Sequence, residues 1–403
     1  MSNFLTLYRY ELKKNLKRKI IWITLAVCLV AISISALSDL LGSYYVEGKL
    51  VDSHYHIFQV DSNYCKALSG RKLDQELFEE MAEGYRKIPA NVEMYTTTEE
   101  YQTYARPYSP VFNFLRSSTG MKVQDIMKWK ADEGEVYSKR LKGLEEMWQE
   151  QNLSEGEKEY WRQKETEISK PLVYYYHEGY ETGIKMITTV GVLMLLFVAV
   201  SLSGIFTEDH VRRTDQMILC SVEGRSTAYW AKISAGVTLS LAGSFIMVAF
   251  TMIISLAVYG FNGFNAMLQI SNFRSYSYPL TVGEAVLIAY GILIITSVIA
   301  GVFVMALSEL LHSSIATLAV SAALIILPMM VSIPSQYRVI SQLWKCSPTA
   351  FLTPWNIFDI QLIPLFGDYF TPWQIVPVVY ILLSIGLSMV SLPVYRRYQV
   401  SGR

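Results

Sequence analysis

The chain has few cysteines, and their spacing excludes a cysteine-based metal site or a dense disulfide framework. The four cysteines, Cys28, Cys65, Cys220 and Cys346, are scattered, and no C-x-x-C pair occurs. Small disulfide-rich folds and zinc sites both need cysteines at short, regular spacings. The sequence leaves two alternatives open, a single bridge between Cys65 and Cys346 or free thiols at both positions.

The chain also lacks the short motifs of common enzymes. It contains no G-x-S-x-G, no H-E-x-x-H and no G-x-x-x-x-G-K-[ST] loop that could hold ATP phosphates. His54 and His56 form one H-x-H pair, and two ligands without a third do not make a metal site. We therefore expect no catalytic residue, no metal site and no cofactor bound by this chain.

There is no excess of either charge, because 35 basic residues balance 35 acidic ones. The charge is distributed unevenly, however. Residues 42–183 hold 25 acids and 18 bases, a net charge of −7, so the remainder carries +7. Such an asymmetry suggests that the two parts lie in different compartments rather than that the protein binds nucleic acid.

What the chain has in abundance is long apolar sequence, with 52% hydrophobic residues. A bilayer core requires about 20 apolar residues per helix. Six stretches meet this length, and their approximate bounds are 20–41, 184–206, 228–259, 284–308, 313–333 and 373–394. The sequence thus predicts an all-α polytopic membrane protein with six transmembrane helices.

Basic residues next to these stretches predict the orientation. Residues 1–19, the turn at 207–227 and the C-terminal tail are rich in Lys and Arg, whereas residues 260–283 and 334–372 are not. Since cytoplasmic loops carry the excess of Lys and Arg, we expect a multi-pass protein of the cell membrane with both termini in the cytoplasm. Residues 42–183 then form an extracellular domain.

The predicted extracellular domain reads as mostly helical. Apolar residues recur at helical spacing over 72–87, a long charged pattern covers 121–150, and Ser154 with Glu157 fits a capping box. Four tyrosines lie where this domain enters the second span. These tyrosines are Tyr174, Tyr175, Tyr176 and Tyr180. We expect them either to form the aromatic belt of the membrane interface or to contact an amphiphilic substrate.

The first 19 residues predict a basic amphipathic helix ahead of the first span. Apolar residues at spacings of three and four form one stripe, and the basic residues lie largely off it. Such a helix lies flat on an anionic leaflet, although a simple positively charged flank is the alternative. The residues expected at the membrane surface are Tyr8, Lys13, Lys14, Lys17 and Arg18.

The turn at 207–227 is dense in charge and predicts a short helix over 208–220. Acidic residues occupy its first turn, where the helix dipole favours them, and Gly224 is a plausible stop. We expect this turn to present charged groups to a partner, and a solvated loop is the alternative. The residues assigned to the partner contact are Glu208, Asp209, Arg212, Arg213, Thr214, Glu223, Gly224 and Arg225.

Ionisable residues are almost absent from the middle of the predicted spans. The closest ones, Lys185, Lys232, Glu284 and Glu309, lie near predicted ends. Because buried charges mark proton relays and ion-coupled pumps, their absence argues against a proton- or sodium-driven carrier. Small residues in the third span favour close helix packing, either within the chain or between protomers.

Together these features resemble the permease subunit of type-2 ATP-binding-cassette (ABC) exporters. The resemblance covers about 260 residues of the membrane part. It rests on the basic helix before span one, the six spans, the segment 334–372 and a motif after span two. The segment 334–372 is apolar, aromatic and Pro-broken, and it resembles the short external re-entrant helices of that family. The motif after span two consists of Glu208, Arg213–Thr214, the run 217–219, Ser221, Gly224–Arg225 and Lys232. The large extracellular insertion departs from minimal members of the family.

The resemblance implies an elbow helix at 1–19 and a coupling helix at 207–227 that seats in an ATPase subunit. It implies two ATPase copies that bind ATP and Mg, a second permease copy or a paralogue, and the lipid bilayer as partners. The cargo would be a small amphiphilic or peptide-like molecule moved out of the cell. The alternative from the residues alone is a membrane-anchored sensor or scaffold whose extracellular domain binds a ligand.

Overall fold

The structure is a computed structural model of the chain. It describes residues 2–46, 49–89, 95–211, 220–221, 224–273, 276–331, 333–334 and 336–397. The chain is 75% helical with little sheet. The expected all-α class is therefore correct at this level.

Five helices are long and apolar enough to cross a membrane within the described ranges. They lie in Lys19–Leu40, Glu178–Asp209, Thr227–Tyr259, Val282–Leu311 and Pro372–Arg396. Helices suit such apolar runs because each satisfies its own backbone hydrogen bonds. These helices coincide with five of the six predicted stretches and are compatible with a multi-pass membrane protein.

The stretch predicted at 313–333 forms a shorter apolar helix, Ser314–Met330, of 17 residues. At about 1.5 Å per residue it is roughly 26 Å long, slightly less than a hydrocarbon core of about 30 Å. Ser313 caps its start by accepting a hydrogen bond from the Ala316 amide at 3.3 Å, and Pro328 lies near its end. Among the described residues, five of the six predicted spans are therefore long apolar helices and one is a shorter apolar helix.

The helices are numbered in chain order. The first eight are α1 Ser2–Leu16, α2 Lys19–Leu37, α3 His54–Leu68, α4 Gln75–Arg86, α5 Ser109–Thr119, α6 Val123–Ile126, α7 Glu133–Glu150 and α8 Glu155–Thr166. The next eight are α9 Glu178–Leu202, α10 Thr207–Val211, α11 Thr227–Tyr259, α12 Val282–Leu311, α13 Ser314–Met330, α14 Arg338–Lys345, α15 Pro354–Ile357 and α16 Pro372–Arg397.

The described residues also include two small antiparallel hairpins. Strand β1 (Ser43–Val46) pairs with β2 (Lys49–Ser53), and β3 (Ile363–Leu365) pairs with β4 (Asp368–Phe370). The segment 334–372, expected to be short external helices, contains α14, α15 and the β3–β4 hairpin.

The chain forms two compact units. The first comprises Met1–Ser35, Lys185–Ile254 and Ile288–Arg403, and the second comprises Ala36–Ile184 and Ser255–Leu287. Helices α9, α11 and α12 each contribute residues to both units.

In the first unit, small residues bring helices close together. A Cβ added to Gly243 of α11 would clash with the ring of Phe197 on α9, so a larger residue there would force this ring to move. Ser297 of α12 donates a hydrogen bond to Ser244 of α11 at 3.1 Å. The small residues of the third span thus serve packing within the chain at these positions.

In the second unit, the charged pattern predicted over 121–150 contains two helices. They are α6 and α7, and Asp132 caps the start of α7 by accepting a hydrogen bond from the Glu135 amide. The capping box predicted at Ser154 and Glu157 is present at the start of α8.

A buried ion pair ties the second unit together. Arg140 of α7 donates to the carboxylate of Glu165 on α8, and both side chains are almost fully buried. Ser277 donates to the same carboxylate at 2.9 Å, and the Lys170 ammonium lies 3.0 Å from it. The Glu165 carboxylate therefore joins α7, α8 and the loop that follows α11.

Candidate functional site

Four charged side chains of the first unit form a buried network around α10. The Lys14 ammonium donates to Asp209 Oδ1 at 2.7 Å, and the Lys232 ammonium donates to Asp209 Oδ2. Lys232 Nζ also lies 3.2 Å from Glu11 Oε1, and Lys14 Nζ lies 3.9 Å from Glu11 Oε2. We call these four residues the charge quartet.

The charge quartet connects three helices that are far apart in sequence. Glu11 and Lys14 lie on α1, Asp209 on α10 and Lys232 on α11. Two ammonium groups balance two carboxylates, so the quartet is neutral overall. This neutrality matters because the Lys232 side chain is only 1% exposed and that of Asp209 10% exposed.

A buried charge without partners costs several kcal/mol, and loss of one partner from a buried pair typically costs about 3–5 kcal/mol. Replacing a whole buried pair by apolar residues is often neutral. The quartet is therefore weak evidence for added stability and stronger evidence for a fixed arrangement of α1, α10 and α11.

Hydrogen bonds fasten α10 to further helices of the first unit. The hydroxyls of Thr207, at the start of α10, and Ser314, at the start of α13, lie 2.7 Å apart. Ser308 of α12 donates to the carbonyl of Ser203, just after α9, at 2.8 Å. The short helix α10 is thus held against α13 as well as α1 and α11.

An aromatic cluster lies beside the same short helix. The rings of Phe206, Tyr229 and Tyr395 have centroids 5.4–5.8 Å apart. The Tyr229 hydroxyl of α11 donates to the Ser388 carbonyl of α16 at 2.7 Å. Stacked and edge-on aromatic contacts at these distances add to the packing, and they bring α16 into the same assembly.

Half of the residues that the sequence assigned to the partner contact lie in the described ranges. Asp209 belongs to the charge quartet, Glu208 is half-buried, Gly224 is buried and Arg225 is exposed. The other four assigned residues, Arg212, Arg213, Thr214 and Glu223, lie outside the described residues.

The five residues predicted at the membrane surface have different surroundings. The Tyr8 hydroxyl lies 3.0 Å from that of Thr238 on α11, and Lys14 belongs to the charge quartet. Lys13, Lys17 and Arg18 line an open cleft with Glu208, and Lys14 also borders this cleft. A helix is present at this position as α1, and its place at a membrane surface stays a prediction.

The four tyrosines before α9 differ in exposure. Tyr174 and Tyr176 are buried, Tyr180 is half-buried and Tyr175 is 38% exposed. The Tyr176 hydroxyl accepts a hydrogen bond from Ser62 and donates to the Tyr259 carbonyl within the second unit. Tyr175 is therefore the most accessible of the four, and the substrate contact stays a prediction.

Sequence reasoning gave Glu11 no functional role, and it named Lys232 only as a residue near the end of a span and as the last position of the resemblance motif. A signal existed for both, since Glu11 is the single acid among six bases in residues 1–19 and Lys232 stands inside an apolar run. What the sequence could not provide was their meeting with Asp209, about 200 positions away from Glu11.

The described residues contain no group of three or more His, Cys, Asp or Glu side chains placed to hold a metal ion. All four cysteines are free thiols in the structure, including Cys65 and Cys346. Of the two alternatives that the sequence left open, the structure has free thiols rather than a Cys65–Cys346 bridge.

Comparison with known proteins does not assign the chain to a family. No protein-family model matches the sequence, and the search of curated proteins found no match.

Proposed function

We propose that this chain is the membrane subunit of an ABC exporter, which moves an amphiphilic or peptide-like molecule out of the cell with ATP hydrolysed by a separate subunit. The observation that carries the proposal is the charge quartet, which fixes the short charged helix α10 to α1 and α11. A surface helix so fastened can transmit a force to the helices behind it.

The proposed topology has six spans, with α13 as the fifth and α1 as an elbow helix on the cytoplasmic leaflet. The five long apolar helices support a multi-pass arrangement. An even number of spans places both termini on one side, and the basic residues of α1 and of 207–227 favour the cytoplasmic side. In this arrangement residues 42–183 are extracellular.

In the proposed mechanism, two ATPase subunits bind ATP and Mg and close upon each other. The segment 207–227 moves with them, and the charge quartet passes this motion from α10 to α1 and α11. Thr207 and Phe206 extend the connection to α13 and α16 through Ser314 and Tyr395. This chain supplies the contact with the ATPase and the transport pathway, and the partner subunit hydrolyses ATP.

In the proposed assembly, this chain pairs with a second copy or with a paralogue. The two subunits enclose the transport pathway between their spans. The cargo class is the one that the resemblance implies, and the scarcity of charges at mid-depth in the long spans argues only against a proton- or sodium-driven carrier. An amphiphilic cargo could leave past the extracellular domain, where Tyr175 is exposed.

The first test is to tag the full chain in its native host, solubilise it gently and identify the proteins that co-purify. We expect a soluble ATPase with a phosphate-binding loop, and we expect Glu208→Ala or Arg213→Glu to remove it and to abolish export without impairing insertion. Lys142→Ala serves as the control, because Lys142 is an exposed residue of the second unit.

Normal export by both variants would refute the coupling role of 207–227. If no ATPase co-purifies even after crosslinking through the exposed thiol of Cys220, the exporter proposal fails.

A ligand-binding sensor is the second candidate function, and one cleft of the second unit favours it. The cleft has a volume of about 430 Å³ and lies along α3. Its lining mixes aromatic and hydrogen-bonding side chains, including Tyr55, His56, Gln59, Asn63 and Lys66. Ligand binding to the purified chain that persists when Glu208 and Arg213 are changed, with no ATPase partner, would favour the sensor.

A further inference from the structure

A second group of charges lies beside the charge quartet and is not used by it. An open cleft of about 530 Å³ lies along α1 and reaches α10. In the part of the chain that the structure describes, its lining consists of Tyr10, Lys13, Lys14, Lys17, Arg18 and Glu208. Lys13 and Lys17 are exposed, while Arg18 and Glu208 are half-buried.

The cleft has a surplus of positive charge. Lys14 is already balanced by Asp209 and Glu11 within the neutral charge quartet. The three remaining cations, Lys13, Lys17 and Arg18, face the single carboxylate of Glu208, which leaves a surplus of +2. The described lining therefore favours an anion, and one phosphodiester would offset about half of this surplus.

The geometry of Arg18 suits an anion with several acceptor oxygens. Its Nη1 donates to the Ser201 carbonyl at 3.1 Å, which holds the guanidinium at one edge of the cleft. A guanidinium presents five donors in a rigid fork that matches phosphate, and the two lysines add mobile point charges.

Apolar side chains begin directly after the cleft residues in the chain. Ile20, Trp22 and Ile23, in the first turns of α2, are 46%, 53% and 58% exposed. The Trp22 indole donates to the Leu16 carbonyl at 2.8 Å, which fixes the ring at the junction of α1 and α2. Tryptophan is enriched where lipid headgroups meet acyl chains.

We propose that this cleft binds the phosphate headgroup of an anionic phospholipid, whose acyl chains lie along the exposed start of α2. A free phosphate ester has the same headgroup chemistry, but it would make no use of Ile20, Trp22 and Ile23. The inference rests on the proposed membrane insertion with α1 at the cytoplasmic leaflet. Bound lipid would stabilise the position of α1. Because Lys14 lines the cleft and pairs with Asp209, it would also stabilise the charge quartet.

The test uses the full chain, purified in mild detergent and titrated with phosphatidylglycerol, with bound lipid counted by native mass spectrometry. The variant Lys13→Gln/Lys17→Gln removes two exposed cleft charges and spares the quartet. Each base near an anionic headgroup strengthens binding by about fivefold, so we expect this variant to weaken lipid binding roughly tenfold or more.

The matched control is Arg9→Gln/Lys19→Gln, which removes two exposed basic residues of the same region that do not line the cleft. We expect it to bind phosphatidylglycerol within about twofold of the unchanged chain. Equal loss in both variants would overturn the proposal, because it would indicate general attraction to an anionic surface.

A competition with sn-glycerol 3-phosphate separates the two sources of the headgroup. We expect millimolar glycerol phosphate to leave the lipid bound, and full displacement would overturn the lipid in favour of a free phosphate ester. The readout needs no ATPase, so selective lipid binding without a co-purified ATPase would refute the exporter alone. Co-purified ATPase without selective lipid binding would refute this cleft alone.

Discussion

Lys232 is the residue whose surroundings depart furthest from those of an ordinary lysine. Its side chain is 1% exposed on a helix long enough to cross a membrane, yet its ammonium meets Asp209 and Glu11. A lysine so fully buried is tolerated only with partners. The effect of changing Lys232 on stability therefore tests whether α1 and α10 pack against α11.

We expect Lys232→Met to destabilise the first unit by about 3–5 kcal/mol, because it leaves two buried carboxylates facing one ammonium. Met keeps the unbranched shape, so the loss is mainly of charge. The measurement is thermal unfolding in detergent, with Lys19→Met as a control for an exposed lysine.

The double variant Glu11→Gln/Lys232→Met restores neutrality, since Asp209 then faces Lys14 alone. We expect it to recover much of the stability lost by the single change. If the single variant unfolds at the temperature of the unchanged chain, the quartet does not hold these helices together.

At the scale of elements, α9 begins with another buried charged pair, which belongs to the second unit. His177 Nε2 lies 3.1 Å from Glu181 Oε2, and Nδ1 lies 2.7 Å from the Tyr175 carbonyl. Both ring nitrogens face acceptors, so the doubly protonated imidazolium fits the site best. The Asn272 amide donates to the other oxygen of Glu181, which ties the loop after α11 to this helix start.

Stability of this junction should depend on pH. Burial opposes the charged form of His177, but the hydrogen bond and charge of Glu181 and the hydrogen bond to the Tyr175 carbonyl outweigh it. Glu178 makes a smaller contribution, and the pKa of His177 is therefore raised. A raised pKa in the folded state contributes stability that is complete below the unfolded pKa of about 6.5. That contribution is lost as pH rises through the folded value.

We therefore expect the unfolding temperature of the chain to fall as pH is raised from 6 to 9, and His177→Gln to remove this part of the dependence. The control is His312→Gln, an exposed histidine of the first unit. An unchanged pH profile in His177→Gln would contradict the assignment of a charged His177.

At the scale of the whole molecule, the long helices could be predicted and the contacts between them could not. Each apolar run specifies its own helix, so α9, α11, α12 and α16 begin within about six residues of their predicted starts. The length of the fifth predicted span could not be read from its apolar run, because 313–333 forms the 17-residue α13. Whether such a short helix spans depends on its neighbours and the bilayer.

The candidate site shows the same division between local and distant information. The acidic first turn of α10 could be predicted from helix electrostatics, because Glu208 and Asp209 stand where the dipole favours them. The different roles of these two acids could not be predicted from the sequence. Asp209 is paired with Lys14 and Lys232, whereas Glu208 lines the cleft. Only the packing of α1 and α11 separates these two neighbouring acids.

The proposed orientation of the whole chain can be tested with its own cysteines. Cys220 is exposed and Cys28 is buried, while burial raises the pKa of Cys65 to about 11 and that of Cys346 to about 11. Because the thiolate is the reactive form, Cys220 should react fastest with a maleimide. It lies in the segment 207–227, which the basic residues assign to the cytoplasm.

We expect a membrane-impermeant maleimide to leave Cys220 unlabelled in intact cells and to label it within minutes after permeabilisation. Cys220→Ser should abolish the fast reaction and leave the slow one of Cys65 and Cys346. Fast labelling in intact cells that disappears in Cys220→Ser would place α10 outside. An ATPase could not reach the charge quartet from there, so that result would refute the topology and the exporter mechanism together.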